Sequence, residues 1–137
     1  MRRKQPFVAQ VERRISNLRE TASLDTQFFR NKWIVRLDSL FSIASSIAKG
    51  EVRRQQVGDS LQYITPKERQ MWAHVAAHIA EVMGNLSKGY DERQFNEDLT
   101  ELERQVDEIK ELQAQSDRAA SRAMETESEN SGAVSNS

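Results

Sequence analysis

Apolar positions recur every three or four residues from Phe7 to Lys49, a stretch with neither Gly nor Pro. Val8, Val11, Ile15, Leu18 and Ala22 step 3-4-3-4, a spacing that lines one face of a helix. Phe29, Trp33, Leu37, Leu40, Ala44 and Ile47 make a second stripe, widened by Phe41 and Ile43. The intervening Thr21–Thr26 weakens the pattern and offers Ser23 or Asp25 as a new N-cap. The spacing predicts one kinked helix or two helices over 6–49, ended by Gly50 with Lys49 near the negative end of the dipole.

Residues 51–64 read differently. Val52–Val57 and Ser60–Ile64 flank the dipeptide Gly58-Asp59, and a two-residue Gly-led turn between such runs signals a β-hairpin. The implied register sets Arg54 opposite Tyr63 and Gln56 opposite Leu61.

Thr65-Pro66-Lys67-Glu68 then opens a helix. Thr65 is a natural N-cap, Pro66 fits the first helical position, and Glu68 completes a capping box. The helix is expected over 65–88 with a stop at Gly89. Its apolar stripe is Met71, Trp72, Val75, Ile79, Val82, Met83 and Leu86. Beside it runs a face of small residues, Ala73, Ala76, Ala77, Ala80, Gly84 and Ser87. Small side chains admit another backbone, so packing on two sides is expected, at the centre of the fold or at a subunit interface.

Asp91 caps a last helix over 91–113, in which Phe95, Leu99, Leu102, Val106 and Ile109 step 4-3-4-3 between charged and amide residues. A narrow seam with polar flanks is a coiled-coil pattern, and two and a half heptads need a partner. Residues 114–137 contain no Leu, Ile, Phe, Trp or Tyr. They read as frayed helix passing into disorder.

The fold class is therefore all-α: three to four helices, a small β-hairpin between the second and third, a short C-terminal coiled-coil helix and a disordered tail. One helical domain spans 1–113, led by a basic arm at 1–5. Length agrees, since 137 residues suit one domain. Leu, Ile, Val and Phe together number only 30, which predicts a modest core. The absence of Cys excludes disulfide frameworks and thiolate chemistry. No apolar run is long enough to cross a bilayer, and Arg2-Arg3-Lys4 precede no apolar leader, so a cytoplasmic protein without membrane contact is expected.

The net charge of −1 conceals an asymmetry. Residues 1–38 carry 9 basic and 4 acidic groups, whereas residues 91–137 carry 5 and 13. Such ends either neutralise each other or face charged partners.

Little of this points to catalysis. No Gly-rich phosphate loop or nucleophile elbow occurs. His74, His78 and Glu81 are spaced as metal ligands on one helical turn. The zinc-protease pattern, however, needs Glu where Val75 stands. They are expected to be polar residues beside the apolar stripe, with no resident metal, cofactor or small-molecule substrate.

The sequence therefore predicts a non-enzymatic helical interaction or assembly protein, a homo-oligomer or a subunit of a larger complex. Its expected contacts are Phe95, Leu99, Leu102, Val106 and Ile109, with Ala76, Ala80 and Gly84. The alternative is a nucleic-acid-binding assembly component. It would meet phosphates through Arg2, Arg3, Lys4, Arg13, Arg14, Arg53 and Arg54.

Overall fold

Each helix starts and stops where local chemistry satisfies its loose backbone groups. The computed structural model describes residues 6–21, 27–57 and 60–135. In chain order these form α1 (Phe7–Thr21), α2 (Gln27–Ala48), β1 (Arg54–Val57), β2 (Ser60–Tyr63), α3 (Pro66–Lys88) and α4 (Glu92–Ser135). The first apolar stretch is thus two helices. Ser23, Asp25 and the turn pair Gly58-Asp59 lie outside the described residues.

The termini follow the sequence closely. Gly50 adopts φ +80°, donating its N–H to Ile47 O while Glu51 donates to Ser46 O. This pair of bonds closes α2 as a Schellman motif, which needs the left-handed residue that Gly supplies. Thr65 caps α3 by accepting the Glu68 N–H at 3.1 Å, with Pro66 in the first turn. Asp91 caps α4 by accepting from the Arg93 and Gln94 backbones. The strands pair antiparallel with Arg54 opposite Tyr63 and Gln56 opposite Leu61.

The four helices form an antiparallel bundle with the hairpin at one end. Trp33 Nε1 donates to Thr21 Oγ1 at 2.8 Å and Arg14 reaches Ser39, which sets α1 against α2 in opposite directions. Arg19 pairs with Glu103, and Lys110 lies 3.5 Å from Glu12, so α1 also runs antiparallel to α4. Helices α2 and α3 share the most extensive contact. Trp33, Leu37, Leu40 and Ile47 of α2, with Trp72, Val75, Ile79 and Val82 of α3, lie in the solvent-free core. Tyr90 and Phe95 close the end opposite the hairpin, with ring centroids 4.8 and 5.2 Å from Trp33.

One expectation needs correction. The α4 seam does not wait for another chain. Phe95, Leu99, Leu102, Val106 and Ile109 are at most 2% exposed within this one chain, because α1 and α3 both pack against α4. Of the two placings expected for the small-residue face of α3, a central one within this chain does not apply. Ala76 is buried, but Ala73, Ala77, Ala80, Gly84 and Ser87 are exposed. Helix α4 continues beyond residue 113 to Ser135. Once nucleated on the bundle, a helix propagates cheaply through residues such as Ala114, Arg118, Ala119 and Arg122.

Candidate functional site

The hairpin end assembles polar groups from four elements. Glu68, 4% exposed, begins α3 and turns its carboxylate inward. Gln55 of β1 donates to its Oε2 at 2.6 Å, and Gln113 of α4 donates to the same oxygen at 3.4 Å. Both amides are themselves buried. The hairpin and α4 are thereby both tied to the start of α3. Nothing in the periodicity announces this, since Gln55 and Gln113 read as surface residues.

Pinning the hairpin fixes its outer face. Arg54 donates to the Tyr63 hydroxyl at 2.7 Å and its guanidinium carbon lies 4.7 Å from the ring centroid. Tyr63 remains largely exposed. Next to this pair, Lys49, Gly50, Arg53, Ile64, Pro66 and Arg69 complete the lining of a hollow together with Tyr63. Arg53 was legible as a basic site residue; Lys49, four residues before it, and Arg69, 16 residues after it, were not.

The remaining sequence candidates disperse. Arg2, Arg3 and Lys4 lie outside the described residues. Arg13 is exposed on α1, and Arg14 is tied to Ser39. His74 is exposed, while His78 places Nε2 3.3 Å from Asp98 O and Nδ1 3.8 Å from Glu81. Among the described residues no group of three or more His, Asp or Glu is arranged to hold a metal ion.

A second surface was not anticipated. Phe28 and Val35, two turns apart on α2, are 63% and 70% exposed. Lys32 and Arg36 border them, and two open hollows of about 380 and 320 Å³ meet at Val35 and Arg36. Arg14, Asn17 and Ser39 line the second hollow. The signal was present in the sequence, because Phe28 and Val35 fall off the α2 core stripe.

The flank of α4 is acidic and internally paired. Arg104 bridges Glu101 and Glu108. Its hydrogen bond and charge, with a smaller contribution from the charge of His78, hold the Glu101 carboxyl below the usual carboxylate range. No helix among the described residues is long and apolar enough to cross a membrane. No protein-family model, curated protein or solved structure matches this chain.

Proposed function

We propose that this protein is a non-enzymatic helical interaction component, acting as a homo-oligomer or as one subunit of a larger complex. The supporting observation is the Phe28–Val35 strip. The α4 seam is consumed inside the bundle, so contact with another chain must use surface that the bundle leaves uncovered. Two large apolar side chains at more than half exposure, on one face of a regular helix, are such a surface. The exposed small residues Ala80 and Gly84 of α3 offer a further place for close approach. A cytoplasmic setting suits a chain without Cys, which gains no disulfide from an oxidising compartment. Sedimentation of the Phe28→Asp, Val35→Asp variant tests the reading. A lower mass with unchanged helicity is expected, and unchanged mass overturns the role of this strip.

A second reading, nucleic-acid contact by an assembly component, draws on the Tyr63–Arg54 pair. An exposed ring backed by a guanidinium is a platform on which a base stacks, and Arg53 beside it suits a phosphate. Mobility shifts of a single-stranded oligonucleotide at about 0.05 and 0.15 M salt test it, since exposed charges are more strongly screened at the higher value. Binding that weakens steeply with salt and is lost in Tyr63→Ala supports this reading. Equal binding by that variant removes the platform.

A further inference from the structure

The hollow at the hairpin end, of about 350 Å³, gathers three cations from three parts of the chain. Lys49 comes from the end of α2, Arg53 from the approach to β1, and Arg69 from the start of α3. None of the three makes an ion pair or side-chain hydrogen bond with another described residue. Two carboxylates stand nearby in sequence. Glu68 turns inward to Gln55 and Gln113, and the exposed Glu51 pairs with none of the three cations.

Like charges held together without a counterion among the described residues raise the local potential, and an anion entering the hollow relieves it. The backbone makes room for this arrangement. A Cβ at Gly50 would fall 2.7 Å from Arg69 Nη1, so the guanidinium occupies space that any other residue would fill. The first turn of α3, with Pro66 in the lining, adds the positive end of its dipole.

We propose that this hollow binds the dianion of inorganic phosphate or of a small phosphate monoester. Arg53 and Arg69 supply forked N–H donors and Lys49 a point charge. Three cations match a doubly charged group, whereas a nucleic-acid phosphodiester carries one charge and needs a track of contacts rather than a single hollow. The assignment is independent of the assembly reading.

Backbone amide NMR titration of the full chain tests it. Sodium phosphate and glycerol phosphate, at constant ionic strength, should shift the Gly50, Arg53, Tyr63 and Arg69 amides to saturation. Sodium chloride and acetate should not. Tighter binding of glycerol phosphate would favour an esterified ligand, and equal binding the inorganic ion; both support the site. Arg53→Ala and Arg69→Ala should each weaken phosphate by about tenfold, as loss of a charge-assisted pair implies. Arg69→Lys should fall between. Non-saturating shifts, or alanine variants that titrate like the parent, overturn the proposal. So does an unphosphorylated oligonucleotide that moves the same amides more tightly than phosphate does.

Discussion

Gln55 on the hairpin donates a 2.6 Å hydrogen bond to Glu68 at the start of α3, and both side chains are excluded from water. A carboxylate without a cation partner among the described residues is thus held by amide donors from two other elements, Gln55 and Gln113. Glu68→Ala should strand both amides and destabilise the protein by about 1–3 kcal/mol, the cost of buried groups left unpaired. Glu68→Gln, which keeps an acceptor oxygen, should cost less. Urea unfolding of the two variants checks the order. Equal losses would mean that the network adds nothing beyond packing.

The two tryptophans are both fully buried but differ in polarity. Trp33 donates to Thr21, whereas the Trp72 indole N–H has no hydrogen-bond partner among the described residues. Replacing each by Phe should therefore cost more at Trp33 than at Trp72, by about 1 kcal/mol. Thermal melts of Trp33→Phe and Trp72→Phe decide, and a reversed order defeats the argument.

The α4 seam and the small face of α3 separate folding from assembly. Leu102→Asp places a charge in the dry core and should abolish cooperative folding rather than merely lower the mass. Gly84 is exposed, and a Cβ there meets nothing within 4 Å. Gly84→Ala should therefore raise stability by about 0.5–1 kcal/mol through helix propensity. Gly84→Leu should preserve the monomer fold and reduce mass in sedimentation wherever a second backbone lies on that face.

Glu101 gives a pH signature. Its carboxyl lies below the usual range because Arg104 hydrogen-bonds to it and attracts its charge. The folded state therefore binds the Glu101 proton less readily than the unfolded chain. The associated stabilisation is complete above the ordinary carboxylate pKa and fades as pH falls through the lowered one. Arg104→Ala should return the Glu101 titration, followed by side-chain NMR, toward the ordinary range.

Local chemistry explains what was legible beforehand. Thr65, Pro66 and Glu68 act within one turn, and the Arg54–Tyr63 register follows from a two-residue loop. Periodicity likewise picked out the buried faces of α2, α3 and α4. It did not reveal which chain covers Leu102 and Val106, because an intramolecular and an intermolecular partner demand the same stripe. Gln55 and Gln113 were missed for a related reason. Their burial depends on one acceptor, Glu68, brought to them by tertiary closure. Lys49, Arg53 and Arg69 converge only once α2 has turned through Gly50 and the hairpin has returned the chain to α3.

The pairing of α1 with α4 has a kinetic consequence. Arg19 meets Glu103, 84 residues later, and Glu12 meets Lys110, 98 residues later. Helices α2 and α3 with their hairpin form a local unit, but α1 finds its second neighbour only after the whole intervening chain has been made. Closing so large a loop carries an entropic cost that local helix pairs avoid. During synthesis, the apolar stripe of Val8, Val11, Ile15 and Leu18 therefore waits partly uncovered until α4 clears the ribosome. Completion of the bundle is therefore a late event.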